Sequence, residues 1–369
     1  MKLVCSKTNL LNGLNIVSKA VPNKTTMSIL ECILVDASEE KIRLIANDTE
    51  LGIETVITGI IEEKGKIALD AKIFLDIVRK LDDQDVVIEC DSSLKTYITC
   101  GKAKFTIIAK PADEFTYLPN VERIDHITVS QFTLKEIIRQ TIFSIADNDN
   151  NKIMTGELFE VSGDELKVVS LDGHRISIRK INLKTNYPSK KVIVPGKTLN
   201  EISKILSGDT NKDVNIFFTG KHIIFEFDET IVVSRLIEGE YFKIDQMLSS
   251  DYETKMTINK KDLFDSIDRA TLLVKEGDKK PIIINISDEN IELKMNSTVG
   301  SMNEEISVTK QGKDLMIGFN PKFMIDALRV IDDEDIDIYF VNPKAPCFIK
   351  NSEESYIYMI LPVNFTTVS

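Results

Sequence analysis

Lys72, Lys197 and Lys322 stand 125 positions apart, and the same gap-free step relates Asp76, Glu201 and Asp326. It also relates Arg79, Lys204 and Arg329, then Leu81, Leu206 and Ile331. A spacing kept without insertion through four sets of positions means that one local design occurs three times along the chain. Each of these segments carries base, acid and base at i, i+4 and i+7, and apolar residues on the other side: Ile73, Phe74, Ile77, Val78 and Leu81; Leu199, Ile202 and Leu206; Phe323, Met324, Ala327, Leu328 and Ile331. The pattern predicts amphipathic helices over 70–81, 196–206 and 320–331.

A second helix opens each repeat, over 7–19, 130–145 and 259–274. Ser6, Ser130 and Asn259 are the expected N-caps. Apolar stripes follow them at helical spacing: Leu10, Leu11, Leu14 and Val17; Leu134, Ile137, Ile138, Thr141, Ile142 and Ile145; Leu263, Phe264, Ile267, Ala270 and Thr271. Between the helices the pattern turns to period two, as over 86–90, 166–170, 291–295 and 336–340, and predicts strands. The fold class is therefore α+β, three similar helix-strand domains in tandem. The polar stretches 120–123 and 249–253 read as linkers and set the domains at 1–120, 126–247 and 253–369.

The chain has 46 Lys plus Arg against 58 Asp plus Glu, a net charge of -12. Taken as a whole, that charge argues against a nucleic-acid partner, because phosphates need local positive charge. Its distribution reverses the argument. The six helical segments hold 14 bases and 8 acids, a net of +6, which leaves -18 for the strands and loops. A basic helix face beside an acidic remainder suits contact with phosphates that carries no sequence information. Neither zinc-finger spacing nor an aromatic RNA-binding signature occurs, and no run of 18 apolar residues could span a bilayer. The N-terminus lacks the order of a signal peptide, so the expected location is cytoplasmic. The five cysteines include no C-x-x-C pair and read as buried thiols of a reducing compartment. No cofactor and no metal is expected.

Asp172, Gly173, His174 and Arg175 form the densest cluster of reactive side chains. On a continuous strand Asp172 and His174 would share a face and could work as an acid-base pair. Read instead as a turn at Asp172-Gly173, the segment does not hold Asp172 and His174 on one face. Without a Gly-rich phosphate loop or metal-ligand spacing, the second reading is preferred and no catalytic residue is assigned. A further alternative is a monomeric tandem-repeat scaffold that binds proteins and never encircles DNA.

The triplicated unit, the segment Val168-Val169-Ser170-Leu171-Asp172-Gly173-His174-Arg175-Ile176 and the ending Ile360-Leu361-Pro362-Val363 together resemble the bacterial sliding-clamp family, the beta subunits of DNA polymerase III holoenzyme. The resemblance covers the whole chain. It implies a non-catalytic, head-to-tail homodimer whose six domains form a closed ring, helices inside and sheets outside, around double-stranded DNA. Twelve helices at about 9 Å separation give a circumference of roughly 110 Å and a diameter of about 35 Å, enough for a duplex to pass loosely. The face toward DNA is assigned to Lys24, Lys72, Arg79, Lys80, Lys135, Arg139, Lys197, Lys204, Lys260, Lys261, Lys322 and Arg329.

The same resemblance implies a pocket for short linear motifs of the replicative polymerase, the clamp loader and repair proteins. Its positions here are Met154, Leu171, Gly173, His174, Arg175, Ile176, Phe242, Met247, Asn320, Phe323, Met359, Leu361, Pro362 and Val363. Tyr241-Phe242-Lys243, Asn364 and the tail from Phe365 to Ser369 depart from the family pattern. The dimer contact is implied to join Lys102, Lys104, Phe105 and Ile107 to Leu272, Leu273 and Glu304 of a second copy.

Overall fold

A computed structural model describes residues 1–119, 121–124, 126–147, 151–248, 251–274 and 280–365. Of the expected linkers, Asn120, Ser249 and Ser250 lie outside the described residues, as does the end of the tail, 366–369.

Six helices form where the periodicity expects them: α1 Lys7–Val17, α2 Ala71–Lys80, α3 Gln131–Thr141, α4 Gly196–Ile205, α5 Lys260–Thr271 and α6 Pro321–Val330. Side chains start them by satisfying amide donors that have no partner within the helix. The Ser6 hydroxyl accepts from Asn9 N at 3.2 Å, Ser130 from Thr133 N at 3.0 Å, and the Asn259 side chain from Lys261 N and Asp262 N at 3.1 and 3.2 Å. Asp70 and Asn320 cap α2 and α6 in the same way. The expected ends 18–19 and 142–144 tighten into short 3-10 turns. One apolar assignment fails, because Ile73 is 50% exposed. The buried stripe of α2 runs through Ala71, Phe74, Val78 and Leu81, and Ile73 lies one residue off that stripe.

The chain divides into two compact units, Met1–Lys135 with Lys197–Leu236, and Glu136–Gly196 with Ile237–Ser369. In the first unit, a five-stranded antiparallel sheet runs Ile60–Glu63, Lys2–Ser6, Asp85–Cys90, Lys95–Cys100, Ala103–Ile108. An eight-stranded sheet runs His126–Ser130, Asp213–Phe218, His222–Phe227, Thr230–Arg235, Leu51–Ile57, Ile42–Asn47, Cys32–Ala37, Gly65–Asp70. Helices α1 and α2 pack together and bury Leu10, Leu14, Val17, Phe74 and Val78. Leu118 and Val121 pack on Phe217, Ile224 and Val233, and Arg123 pairs with Glu226 at 3.5 Å, so the described part of the 120–123 stretch is tied down.

In the second unit, a seven-stranded sheet runs Gly156–Leu171, Arg175–Pro195, Tyr356–Ile360, Cys347–Lys350, Asp335–Phe340, Thr254–Asn259, Thr309–Gly312. A four-stranded sheet runs Ser301–Ser307, Asn290–Asn296, Ile282–Ile286, Leu315–Phe319. Helices α5 and α6 pack together over a core of Leu263, Ile267, Ile284, Leu293, Phe319 and Leu328. The middle third contributes to both units because its strands pair outward. Thr230–Arg235 continues into Leu51–Ile57, with Val232 opposite Ile53, and Arg175–Pro195 continues into Tyr356–Ile360, with Ile176 opposite Met359. All five cysteines are free and buried, and burial pushes the thiols of Cys5 and Cys347 up to about 12.

Candidate functional site

The site begins with a turn. The strand Gly156–Leu171 stops at Leu171 and its partner starts at Arg175, so Asp172-Gly173-His174 is a connection and not a strand. Gly173 takes φ 85°, a conformation that an L side chain resists. The Asp172 carboxylate closes the turn by accepting from His174 N at 2.9 Å and Arg175 N at 3.1 Å, while its other oxygen takes Arg175 Nε at 3.0 Å. These commitments remove the acid-base pair, since Asp172 serves backbone amides and Arg175 instead of the His174 ring.

Arg175 is the anchor. It is only 6% exposed, and its remaining nitrogens reach Asp326 Oδ2 at 2.7 Å and the Phe143 carbonyl at 2.5 Å. The guanidinium lies 4.4 Å from the centre of the Phe323 ring, and the exposed His174 ring stacks on that same ring at 5.9 Å and 24°. A cation held over an aromatic face strengthens both placements. Phe323 comes from α6, whose N-cap is Asn320, so helix start, ring and turn form one rigid shelf. The chain's last described segment is pinned to it, with Leu361 N donating to the His174 carbonyl at 2.9 Å and Val363 N to the Gly318 carbonyl at 2.8 Å. The Phe365 ring occupies the place where a side chain on Gly318 would stand.

Beside this shelf, Leu171, Ile176 and Met359 belong to one apolar cluster, with Met154 and Phe242 packed against it. Met247 is exposed, and its described contact is a backbone bond to Ile244. The expected residues therefore fall into an apolar floor and an aromatic shelf that meet at Arg175-Ile176. Three members escaped the sequence reading: Phe143, Tyr241, whose buried hydroxyl donates to the Val169 carbonyl at 3.2 Å, and Asp326. Burial holds the Tyr241 hydroxyl far above the usual phenol range. Asp326 carried a signal, being the acid of the third helix repeat. Asp76 and Glu201 pair within their own helices, with Arg79 at 3.3 Å and Lys204 at 2.7 Å, whereas Asp326 turns to Arg175 and keeps Arg329 only at 4.0 Å.

The basic residues divide in the same way. Lys24, Lys72, Lys80, Lys322 and Arg329 are exposed. Lys204 is paired with Glu201, Lys261 with Asp265 at 2.5 Å, and Arg139 with Glu136 at 2.6 Å and Asp332 at 3.2 Å, which raises its pKa further. Lys197 binds the carboxylate of Asp48. Lys135 donates to the Leu206 carbonyl at 3.2 Å and Lys260 to the Ile331 carbonyl at 2.7 Å. The 125-residue step relates both partners of that bond, and each ammonium closes the C-terminal end of the neighbouring helix, where backbone carbonyls lack donors. These two lysines are thus helix caps first.

Of the residues expected at a dimer contact, four lie on edge strands, Lys102 precedes one of them, and Leu272 and Leu273 follow α5. Lys104, Phe105 and Ile107 lie on Ala103–Ile108, the edge strand of the five-stranded sheet, with Lys102 in the turn before it. Glu304 lies on Ser301–Ser307, the edge of the four-stranded sheet, and Arg269 binds it within the chain, which holds its carboxyl below the usual range. Leu272 is 82% exposed, while Leu273 packs on the core. Among the described residues no helix is long and apolar enough to cross a membrane.

Family models for the DNA polymerase III beta subunit match the chain three times: the N-terminal domain over residues 1–119, the central domain over 128–243 and the C-terminal domain over 245–364. The beta sliding clamp of Staphylococcus epidermidis is 33% identical over 98% of this chain and 99% of its own length. A putative DNA polymerase III beta subunit from Eubacterium rectale superposes with a TM-score of 0.97 at 70% identity, covering 99% of this chain and 100% of that one. The DNA polymerase sliding clamp of Bacillus subtilis gives 0.95 at 33% identity over the same shares. With its three domain models matched in order and relatives aligned end to end, the chain belongs to the DNA polymerase III beta subunit family, the bacterial sliding clamps.

Proposed function

We propose that this chain, a non-catalytic DNA sliding clamp, closes head to tail on a second copy into a ring of six similar domains. In this reading the domains span 1–120, 126–247 and 253–369, the setting is the cytoplasm, and duplex DNA passes through the ring without sequence readout. The replicative polymerase, the clamp loader and repair proteins dock short linear motifs on the floor of Leu171, Ile176 and Met359 and the shelf of His174 and Phe323. Lys24, Lys72, Lys80, Lys322 and Arg329 face the phosphates, with the paired bases adding a weaker field.

One observation carries the reading: two of the edge strands among the described residues, one in each unit, are unlike in charge. Ala103–Ile108 carries Lys104 and follows Lys102, and Ser301–Ser307 carries Glu304 and Glu305. Edges of opposite charge on different domains avoid self-pairing and favour a head-to-tail contact, which closes when the rotation closes. Retention tests it. A clamp loaded on circular DNA should stay bound in salt that abolishes direct affinity and should leave once the circle is cut; equal loss from circular and linear DNA would refute encirclement.

A further inference from the structure

The proposed groove does not end at Met359. Cross-strand pairs arrange one face of the seven-stranded sheet in rows. Leu171, Ile176, Met359 and Phe348 stand opposite one another in the first row. Two residues along each strand, and so on the same face, come Val169, Ile178, Ile357 and Lys350. The next row opposes Lys167 to Lys180. The face grades from apolar to cationic within two rows, and over its basic end lies a cavity of about 200 Å³, floored by Ile178, Phe348 and Ile357 and rimmed by the three lysines.

Like charges directly opposite on a sheet destabilise it, so the Lys167 and Lys180 pair is a cost to the fold that packing does not explain. Counter-ions cover it incompletely. Lys167 reaches Asp245 at 3.2 Å and Lys350 reaches Glu354 at 2.5 Å, while Lys180 has no carboxylate within 4 Å among the described residues and acts on Glu354 only at longer range. The side chains of Lys167 and Lys350 are largely buried, whereas Asp245 is exposed and Glu354 is half-exposed, so both carboxylates can be displaced. Glu160, also near Lys167 at 3.7 Å, is held by Lys191 at 2.6 Å.

We propose that this cavity is a further subsite of the partner groove and takes an aspartate or glutamate flanking the partner's apolar motif. The inference rests on the groove proposed above. The side chain's methylenes lie on Ile178 and Phe348, and its carboxylate replaces solvent and Glu354 between Lys180 and Lys350. The shared apolar cluster makes floor and cavity continuous, so a single extended segment can fill both.

Two fluorescein-labelled peptides test it on the full chain: one with a Gln and three apolar residues flanked on each side by Asp-Asp, and its Asn-Asn counterpart. Anisotropy in low salt should show the acidic peptide binding about five-fold more tightly, against a chain whose net charge would otherwise repel it. The preference should vanish in a Lys180→Gln, Lys350→Gln double variant that still binds the Asn peptide unchanged, which also reports its folding. Equal affinities for the unmodified chain, or a preference that survives in the variant, would overturn the subsite and leave the groove standing. Failure of both peptides to bind would overturn the groove and the subsite with it.

Discussion

Arg175 and Asp326, 151 positions apart in the chain, join at 2.7 Å between Nη1 and Oδ2 in a setting where both side chains are mostly buried. The bond ties the turn of the central repeat to the helix of the third and sets the Phe323 ring that His174 stacks on. Arg175→Ala would leave Asp172 and Asp326 as partly buried carboxylates without their cation and should cost about 3–5 kcal/mol. Asp326→Asn keeps an acceptor and should cost less. Urea unfolding checks the order; an Ala variant as stable as the parent would show that the pair holds nothing.

Glu157 predicts an unusual pH dependence. It is fully buried, its two oxygens have no hydrogen-bond partner among the described residues, and the neighbouring Thr141 hydroxyl donates to the Ile137 carbonyl at 2.7 Å. Burial pushes the carboxyl from the ordinary 4.5 up to about 8. A raised carboxyl pKa means that the folded state holds a proton the unfolded state has lost. This contribution is therefore intact below about pH 4.5, falls by about 1.4 kcal/mol per pH unit through the window, and levels off above about pH 8. Glu157→Met should flatten the stability profile between pH 5 and 8 and raise the midpoint of urea unfolding at pH 8.5. Parallel profiles for parent and variant would rule the mechanism out.

Much of the fold and the site is legible in the sequence, and the parts that are not share a cause. Helices declare themselves through residues close in the chain, so Ser6, Ser130 and Asn259 are recognisable as caps from their immediate neighbours alone. The turn at Asp172-Gly173 is readable because glycine and a short acidic side chain favour it locally. Asp326 resembles Asp76 and Glu201 because nothing within its helix distinguishes it; only Arg175, brought in by strand pairing, changes its role. Lys135 and Lys260 read as free bases for the same reason, since the carbonyls they cap lie 71 positions away. Ile73 is apolar like its neighbours in the helix, but it lies one residue off the buried stripe of α2 and stays exposed.

Charge reversal at the proposed DNA face has to respect those roles. Lys72, Lys80 and Lys322 are exposed, and a Glu at each should leave thermal unfolding within about 0.5 kcal/mol of the parent. The triple variant should nonetheless shorten retention on circular DNA and reduce polymerase processivity. Lys197 is different, because its partner Asp48 has a side chain only 6% exposed. Lys197→Glu would set two carboxylates together and lower stability directly. An unchanged retention time in the triple variant would remove this face from contact with DNA.

Leu272 offers the sharpest test of ring closure. Its side chain is 82% exposed at the end of α5, so replacing it leaves the core intact, whereas neighbouring Leu273 packs against that core. Phe105 lies on the edge strand Ala103–Ile108 and is 39% exposed. If the two edges meet in a second copy, both become apolar plugs, and a charge at either would be buried against an unlike surface at a cost of several kcal/mol. The parent chain should give about twice its 41.6 kDa by light scattering at micromolar concentration. Leu272→Asp or Phe105→Asp should return the mass to that of one chain with no change in thermal midpoint for the monomer, while Glu304→Ala, whose carboxylate Arg269 already holds, should shift the equilibrium far less. A Leu272→Asp, Phe105→Asp double variant that still runs at twice the chain mass would place the contact elsewhere.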